Sequence, residues 1–323
     1  MRDSDILKIA TINAQKYRPP DPETIYERDW ENQHVIFEIC KGKVLMNQRN
    51  PTTFDEQFNM EKRILVSSFL ENYVLDDSMT CAIPFDMNMH DFVNTNMNSA
   101  IYPHSILGAS ILIDDPINIP VPDFYAMQGY RNSIHEEDQL PFEHKVNKLY
   151  FIGGSTGDTT PSRNKRIKLC QYAQHVSWLD SYISEIVQMK AGDLYHYDPF
   201  CSYYIHNHIP ATYQKMYRHL ISTDGNTAAW DRVPWILSSN SVLWKEDSPH
   251  VCWYYPFLTP WEHYIPFTLE DLSTKWHAYR ERDTDLLALV KRANQFVNDF
   301  LHIKKHGLYM KMFFQKVIER YNP

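Results

Sequence analysis

The sequence predicts an α/β protein with a parallel sheet in its C-terminal half. Strand signals and helix signals alternate after residue 148, a pattern typical of successive βα units. The polar stretch 128–147 precedes this alternation and is the best candidate for a link between two domains. The C-terminal strands are predicted at residues 149–152, 220–223, 241–244 and 264–267.

The residues before this link predict a different mixture of elements. Apolar runs on either side of Lys41-Gly42 are typical of a β-hairpin. In chain order we expect an irregular arm at 1–30, a hairpin at 34–46, a helix at 58–73, a buried strand at 79–86 that ends on Asp86, and strands joined by turns at 101–123.

Helices are predicted between and after the C-terminal strands. Residues 166–190 and 228–237 have helical character, and Thr268-Leu-Glu-Asp271 has the spacing of a capping box for the next helix. Apolar residues at helical spacing run from 286 to 301. A last helix follows, with one face formed by Tyr309, Phe313, Val317 and Tyr321.

The composition is that of an ordinary globular protein and excludes several partners. The 323 residues are 43% hydrophobic and 22% charged, which suits two domains or one large one. The net charge is −8, and no block of Lys or Arg is long enough to indicate nucleic-acid binding. No window approaches the roughly 18 apolar residues of a membrane span. We therefore expect no nucleic-acid partner and no membrane span.

Targeting and cysteine patterns indicate a cytosol-like compartment. The first residues lack the pattern of a secretory signal, and the last residues lack an ER-retention signal. The five cysteines are scattered and form no CxxC pair. We expect a cytoplasmic protein with reduced thiols.

A glycine-rich turn, Gly153-Gly154-Ser155-Thr156-Gly157, follows the first C-terminal strand. Glycines let backbone N–H groups approach an anion, and the two hydroxyls can donate to phosphate oxygens. Arg163 and Arg166 follow as candidate cations. A plain turn with a solvated basic face is the alternative, because single glycine-rich turns are weak signals. The turn lacks the lysine of a kinase-type phosphate loop, which argues against kinase chemistry.

The next strand runs into Asp224-Gly225-Asn226-Thr227-Ala228-Ala229. Small residues that open a helix would expose free N–H groups, a favourable site for a diphosphate. Arg232 would add a charge-assisted contact. The alternative is a βα turn in which small residues merely permit close packing.

The following strand ends in Lys245-Glu246-Asp247-Ser248. Acids at the carboxyl end of a parallel strand often hold sugar or ribose hydroxyls, because ligands bind at that edge. Asp247 and Ser248 are therefore candidate contacts to the ligand. A solvated loop is the alternative.

Two other groups have the composition of metal ligands without the spacing. Asp114-Asp115 has no third acid nearby, and His206-Asn207-His208 has no third ligand at helical or strand spacing. We expect no metal at either place.

Together these segments give residues 219–266 a specific pattern. It resembles the CAP-ten-like, or KDEL-containing, glycosyltransferases of family 90, which comprise protein O-glucosyltransferases and fungal capsule xylosyltransferases. The motifs that carry the resemblance are Asp224-Gly225, Arg232-Val-Pro-Trp235, Ser239-Asn-Ser241, Lys245-Glu-Asp-Ser-Pro249 and Pro260-Trp-Glu-His-Tyr-Ile-Pro266. Upstream, Gly154-Ser-Thr-Gly157 resembles the donor loop of the family.

The resemblance implies a GT-B-type fold, two Rossmann-like domains with an interdomain cleft. Residues 1–147 would form the acceptor-side domain, 148–285 the UDP-sugar-binding domain, and 286–323 helices that pack back on the first domain. The resemblance also implies anomeric inversion with no cofactor and no required metal. Family donors are UDP-xylose and UDP-glucose.

The resemblance also assigns roles to individual residues. The arginine that usually precedes the Gly-Ser of the donor loop is absent, since Ile152-Gly153 stand there, and Arg163 or Arg166 is the expected substitute. The predicted donor-binding residues are Gly154, Ser155, Thr156, Arg163, Arg166, Asp224, Gly225, Asn226, Thr227, Ala228, Ala229, Arg232, Ser239, Asp247 and Ser248.

Inversion at the anomeric carbon needs a carboxylate that takes the proton of the attacking hydroxyl. It also needs preorganised donors that stabilise the departing UDP. The strand that ends at Asp86 resembles the family strand that carries the catalytic Asp, so Asp86 is the predicted general base. The alternative is an Asp that caps the turn after Phe85.

The predicted function is therefore an inverting transferase that moves a sugar from a UDP-sugar donor to a hydroxyl of a glycan acceptor. Xylose is the favoured sugar and glucose the next. The alternatives are a protein O-glucosyltransferase and a non-catalytic nucleotide-sugar-binding protein of the same fold.

Overall fold

A computed structural model of the chain describes residues 3–20, 34–40, 42–46, 54–76, 79, 83–88, 104–132, 134 and 137–321. Backbone contacts divide the chain into two compact units. The first unit comprises Met1–Arg131, Pro249–Tyr255 and Asp299–Pro323, and the second comprises Asn132–Ser248 and Pro256–Asn298. The functional division predicted at residues 147 and 285 stays a prediction.

Strands and helices alternate over much of the described chain. In chain order the strands are β1 (His34–Cys40), β2 (Lys43–Met46), β3 (Ile83–Asn88), β4 (Ile106–Gly108), β5 (Ile111–Leu112), β6 (Ile119–Pro120), β7 (Val146–Gly153), β8 (Leu179–Ile183), β9 (Tyr217–Ser222), β10 (Val242–Glu246), β11 (His250–Val251) and β12 (Ile265–Phe267). The α-helices are α1 (Asp3–Lys16), α2 (Phe54–Tyr73), α3 (Phe124–Met127), α4 (Lys165–Ala173), α5 (Ala191–Tyr197), α6 (Ala211–Gln214), α7 (Arg232–Leu237), α8 (Leu272–Tyr279), α9 (Asp283–Phe300) and α10 (Ile303–Tyr321).

The second unit contains a five-stranded sheet with the order β12-β10-β9-β7-β8. Every neighbouring pair in it is parallel, which confirms the predicted α/β class. All five strands run the same way, so their carboxyl ends lie along one edge. In parallel α/β sheets ligands bind outside that edge.

The predicted helix over 166–190 is wrong beyond its first turns. The helix α4 ends at Ala173, and the chain then forms the edge strand β8. In β8 the buried residues Leu179, Ser181 and Ile183 alternate with half-buried ones, so the true period is two. Pairing with β7 decides this structure, and such tertiary contacts are not visible in the sequence.

The predicted helix over 228–237 begins later than expected. The helix α7 starts at Arg232, and residues 228–231 belong to the preceding turns. Pro234 stands in the first turn of α7, where the missing backbone N–H costs no helical hydrogen bond. The amides of residues 226–229 are consequently not those of a helix start.

The first unit contains a sheet of order β2-β1-β3-β4-β6. The strands β1 and β2 form the predicted hairpin around Gly42, whose φ is +70°. The strand β1 is antiparallel to both neighbours, whereas β3, β4 and β6 are parallel. The strand β3 continues to Asn88, so Asp86 lies inside the strand rather than at its end as predicted.

The predicted irregular arm at 1–30 is wrong for residues 3–16, which form α1, while residues 21–30 lie outside the described ranges. The helix buries Ile6, Ala10 and Ala14 on one side. It is held to α10 by a hydrogen bond from Asn13 Nδ2 to Tyr309 Oη at 2.8 Å. Tertiary packing rather than intrinsic propensity stabilises such a short helix.

The core of the second unit lies against the sheet and takes in part of α9, where Leu286, Leu289 and Val290 are buried as predicted. A buried His219 belongs to the same region. Trp244 Nε1 donates to His219 Nδ1 at 3.1 Å, and burial lowers the His219 pKa to about 3. No helix within the described ranges is long and apolar enough to cross a membrane.

Only one of the two hydrogen bonds of the capping box predicted at Thr268 to Asp271 is present, and the helix begins at Leu272. Thr268 N donates to Asp271 Oδ1 at 2.9 Å, and Asp271 is the N-cap of α8. The cap side chain makes no hydrogen bond to the first turn of the helix.

Candidate functional site

The glycine-rich turn leaves the carboxyl end of β7 and touches the segment after β9. Gly157 adopts φ +119°, a left-handed conformation that favours glycine, and a Cβ on it would lie 3.2 Å from the Gly225 carbonyl oxygen. The Gly157 amide donates to Asn226 Oδ1 at 3.1 Å. Two predicted donor-binding segments, 154–157 and 224–227, are therefore brought together.

Asn164 fixes this turn and was not singled out from the sequence. Its Oδ1 accepts from the backbone amides of Arg166 and Ile167, which caps α4. Its Nδ2 donates to the carbonyls of Ser155 and Asp158, both at 2.9 Å. An Asn just before a helix is an N-cap signal, and this signal could have identified the residue.

Ser155 is fully buried and already has partners on both sides of its hydroxyl. The Oγ donates to the Val187 carbonyl at 2.9 Å and accepts from the Val187 amide at 2.8 Å. A hydroxyl has one proton, so here the side chain anchors the turn to residues 184–187 rather than pointing at a ligand. A phosphate contact from Ser155 stays a prediction.

Arg166 links the two loops through four neutral acceptors. Its Nη1 donates to the Gly154 carbonyl at 2.8 Å and to Thr156 Oγ1 at 2.7 Å. Its Nε and Nη2 donate to the carbonyls of Asp224 and Thr223, both at 3.2 Å. Burial, with a smaller contribution from the nearby Arg232, lowers the Arg166 pKa to about 10, which leaves the group cationic at neutral pH.

Arg232 reaches the same turn from the start of α7. Its Nη2 donates to the Ile152 carbonyl at 2.5 Å, and its guanidinium lies 5.0 Å from the Phe151 ring centroid. A Cβ on Gly153 would lie 3.4 Å from Arg232 Nη2 and 3.6 Å from Arg166 Nη1. Both guanidinium groups therefore lie next to Gly153, where the family resemblance places a donor-loop arginine.

Arg163 has a different environment from Arg166. Its side chain is 68% exposed, and its Nε pairs with Asp158 Oδ2 at 2.8 Å. This pairing holds the Asp158 pKa below its usual value. Of the two arginines predicted as substitutes, Arg166 is the one that contacts the turn.

The segment after β9 packs closely on the glycine-rich turn. A Cβ on Gly225 would lie 2.3 Å from Thr156 Oγ1 and 3.1 Å from Arg166 Nη2, so only glycine fits without movement. Thr227 is buried, and its Oγ1 has no hydrogen-bond partner within the described ranges. Ala228 is also buried, in the turn before α7.

Acidic groups cluster at the carboxyl end of β10. Glu246 Oε2 accepts from Thr223 Oγ1 at 2.5 Å and from the Asp224 amide at 3.2 Å, and its Oε1 pairs with Lys165 Nζ at 2.7 Å. Ser248 Oγ donates to Asp224 Oδ2. The sequence analysis did not predict these contacts of Glu246, although it identified the segment Lys245-Glu246-Asp247-Ser248 as part of the site.

An open cleft of about 350 Å³ adjoins these acids. Asp247 is exposed and lines it, together with Phe267 from the end of β12. The remaining lining residues are Arg163, Lys165, Lys168, Leu169, Thr223, Glu246, Thr268, Leu269 and Glu270.

Ser239 lies away from this group, and its predicted donor contact is not supported. It precedes β10, whose carboxyl end is at Glu246, so it stands at the amino edge of the sheet. The side chain is buried, and its Oγ donates to the Ile236 carbonyl at 2.7 Å. The family resemblance identified the motif but not the end of the strand at which it lies.

Two further carboxylates occur in the first unit. Asp115 Oδ1 accepts from the amides of Ile117 and Asn118, and Oδ2 accepts from Asn118 Nδ2, so this acid organises a turn. The backbone of Asp86 lies between those of Ile36 and Ile106 in the sheet, whereas its side chain lies outside the described part of the structure.

A glycine-rich turn with two cations at the carboxyl edge of a parallel sheet is the class of site at which α/β proteins bind phosphorylated ligands. Residues 124–322 match the sequence profile of Glycosyl transferase family 90. The chain belongs to this family.

Curated relatives agree with this family. Protein O-glucosyltransferase 2 of Danio rerio is 28% identical over 200 residues, which cover 61% of this chain and 36% of the relative. Protein O-glucosyltransferase 3 of Homo sapiens is 31% identical over 107 residues, which cover 32% of this chain and 20% of the relative. The chain thus spans about a third or less of the length of these relatives.

Proposed function

We propose that the chain is an inverting glycosyltransferase that moves a sugar from a UDP-sugar to a hydroxyl of a glycan acceptor. Family membership supports the transfer of a sugar. The observation that carries the donor assignment is the position of both Arg166 and Arg232 next to Gly153.

The two arginines are half-buried cations whose hydrogen-bond partners in the described ranges are neutral, while Asp224 and Glu246 act on Arg166, and Asp231 on Arg232, only at longer range. Arg166 bonds only to carbonyl and hydroxyl oxygens, and Arg232 only to the Ile152 carbonyl and Gln214 Oε1. No described carboxylate forms an ion pair with either. Burial lowers both pKa values, which means that the charged forms are under-solvated. A diphosphate would supply the missing negative charge.

In this reading the arginines stabilise the leaving group. Negative charge grows on UDP as the glycosidic bond breaks, and fixed donors that meet this charge lower the barrier. The guanidinium groups already provide such charge, so the reaction has no need of a metal cofactor. Thr156 Oγ1 accepts a hydrogen bond from Arg166, so its own proton can be donated to a phosphate oxygen.

The cleft beside β10 suits the neutral part of the donor. The carboxylates of Glu246 and Asp247 can accept hydrogen bonds from ribose or sugar hydroxyls. The partly exposed apolar side chain of Leu269 offers a surface for a planar base. Binding of the diphosphate at the turn and of the nucleoside in this cleft would use adjacent strand ends of one sheet.

Asp86 is the proposed general base, on the strength of the family resemblance and its position on a strand of the first sheet. A carboxylate in this role takes the proton of the acceptor hydroxyl while that oxygen attacks the anomeric carbon. The proposed architecture is of GT-B type, supported by two compact units that each contain a sheet.

Xylose is the favoured donor sugar, and the relatives give a specific reason to test glucose equally. Both are named O-glucosyltransferases of protein, so a protein acceptor with a glucose donor is the second candidate function. A third is a nucleotide-sugar-binding protein without activity.

The test is a comparison of UDP-xylose, UDP-glucose and UDP as ligands, in the presence of EDTA. Binding should raise the melting temperature by mass action, and UDP release with a monosaccharide or glycan acceptor should follow. Binding without release in any acceptor mixture supports the inactive protein. Absence of any thermal shift at millimolar UDP overturns the donor assignment.

A further inference from the structure

Four aromatic side chains of the second unit stand out from the surface within one short segment. Tyr195 and Tyr197 of α5 are 47% and 43% exposed, and Phe200 and Tyr203 are 69% and 67% exposed. Of these, Phe200 and Tyr203 are in ring contact, and we call these two residues the aromatic surface. Single exposed apolar residues are ordinary, but a contiguous group of large ones usually marks a binding site.

The aromatic surface stands on a fixed frame. Leu194, Cys201 and Tyr204 alternate with the exposed rings and are buried in a small core. Asp198 Oδ2 accepts from Tyr204 Oη at 2.8 Å and from Gln171 Nε2 at 2.9 Å, which ties the segment to α4.

The two rings of the aromatic surface stack on each other. The rings of Phe200 and Tyr203 are within 16° of parallel, with their centroids 6.3 Å apart. Because both side chains are about two-thirds exposed, each ring keeps a face open to a ligand.

The segment borders the candidate donor site through one shared strand. Ile183 pairs with Gly153 on one side and with Ile205 on the other. Strands in a sheet are about 4.8 Å apart, so the backbone of Ile205 lies about 10 Å from the start of the glycine-rich turn. That distance corresponds to about two sugar residues.

The chemistry of the segment indicates what it binds. Residues 191–204 contain Asp193 and Asp198 but no Lys or Arg, which disfavours nucleic acid and anionic lipid. Pyranose rings present faces of C–H bonds that pack on the electron-rich faces of aromatic rings. Their hydroxyls can bond at the ring edges to tyrosine hydroxyls.

We propose that the aromatic surface binds pyranose residues of an extended neutral glycan and so holds the acceptor chain near the donor site. This rests on the proposed function for its role in the reaction. The binding itself requires no donor and is measured independently.

The experiment is native electrophoresis of the full chain through gels that contain mannan, xylan or mixed-linkage β-glucan. At least one polysaccharide should retard the protein. The double variant Phe200→Ala/Tyr203→Ala should lose at least fivefold in apparent affinity. Tyr213→Ala is the matched control, because Tyr213 is 64% exposed but lies on α6, near the amino edge of the sheet.

Measurements of UDP-sugar hydrolysis and of the oligomeric state separate this proposal from its alternatives. UDP-sugar hydrolysis should be the same in the double variant as in the unaltered chain, so failure of the donor assignment is seen separately. The proposal is overturned if no polysaccharide retards the folded chain, or if the double variant is retarded equally. It is also overturned if the chain is a dimer that the double variant converts to a monomer without any glycan retardation.

Discussion

Arg166 Nη1 lies 2.7 Å from Thr156 Oγ1, and this contact ties the start of α4 to the glycine-rich turn. The same guanidinium reaches the carbonyls of Thr223 and Asp224 after β9. One side chain thus sets the distance between two loops that end adjacent strands. The four acceptors that Arg166 contacts are neutral, so none of them neutralises its positive charge.

Replacing Arg166 should weaken donor binding far more than replacing Arg163. We expect Arg166→Ala to raise the KM for the UDP-sugar about 10- to 100-fold, because charged hydrogen bonds contribute about 1.5–3 kcal/mol each. Arg163→Ala is the comparison and should change the KM less than about threefold, because Arg163 lines the cleft with a largely exposed side chain that is paired with Asp158. The measurement is UDP release against donor concentration. Equal effects of the two substitutions would contradict the assignment.

A methyl group on Gly225 should separate the two loops. We expect Gly225→Ala to lower the free energy of unfolding by about 1–3 kcal/mol and to weaken UDP binding, because the new Cβ overlaps Thr156 Oγ1. Denaturant unfolding and thermal shift with UDP measure both effects. The double variant Gly225→Ala/Thr156→Ala should recover part of the stability.

Gly192 provides the matched control for that substitution. It lies in α5, where a Cβ would meet nothing within 4 Å. Gly192→Ala should be neutral or stabilise by about 0.5–1 kcal/mol, since alanine is the better helix former. A loss of stability as large as that of Gly225→Ala would show that the close contact is not the cause.

Substitutions at Asn164 should separate its two tasks. Asn164→Ser keeps a hydroxyl oxygen that can cap α4 but loses the donor to the Ser155 and Asp158 carbonyls. We expect Asn164→Ala to cost about 2 kcal/mol or more, as both a cap and buried hydrogen bonds are lost. Asn164→Ser should lower the melting temperature less than Asn164→Ala but weaken UDP binding similarly, because neither residue can bind the two carbonyls of the turn. Equal melting temperatures of the two Asn164 variants would mean that the cap contributes nothing to stability.

Two buried histidines should make the fold sensitive to acid. Burial is the main reason that the pKa values of His219 and His306 fall to about 3, against 6.5 when unfolded. Above pH 6.5 both states are neutral and stability is unaffected. Below pH 6.5 the unfolded chain binds protons that the folded chain excludes, so stability falls by up to about 1.4 kcal/mol per pH unit for each histidine until about pH 3.

Urea unfolding at pH 7.5, 6.5, 5.5 and 4.5 measures this slope. The variant His219→Gln should be less stable at pH 7.5 but show a shallower fall on acidification. The exposed His175 supplies the control, because His175→Gln should leave the slope unchanged. A slope that is the same in all three proteins would contradict the role of His219.

Asp86→Asn should abolish transfer and leave donor binding intact. Removal of a general base typically costs about 10²- to 10⁴-fold in rate, because the amide cannot take the proton of the acceptor hydroxyl. The measurement is sugar transfer at saturating donor, with the thermal shift by UDP as the control for folding and binding. Unchanged transfer by a folded variant would remove Asp86 from the mechanism.

The elements that the sequence predicts well are those with strong local patterns. The hairpin around Gly42, the strand β7 and the helix α9 follow from apolar runs, turn residues and a 3.6-residue period. The position of the glycine-rich turn follows from these strands, since it must lie at the end of β7.

The errors occur where tertiary contacts decide. The strand β8 was interpreted as part of a helix because its residues have no strong local preference, and pairing with β7 settles them. The helix α1 was missed because its short apolar stripe becomes significant only when α10 packs on it.

The site shows the same division. The sequence identifies the residues of two loops but not which arginine contacts them. Arg166 is the second residue of α4, whereas Arg163 precedes the Asn164 cap, and this register determines their directions. Ser239 belongs to the family motif and yet lies at the amino edge of the sheet, since β10 begins only at Val242.

The first unit is completed by a segment that follows the second unit in the sequence. Its segment Asp299–Pro323 includes α10, which packs on α1 about 300 residues earlier in the sequence. During synthesis α1 is made long before α10, so the apolar face of α1 stays exposed until α10 has been translated. The second unit can fold before that point. Removal of α10 should leave the apolar face of α1 exposed. We therefore expect the shortened chain to bind chaperones rather than to fold stably.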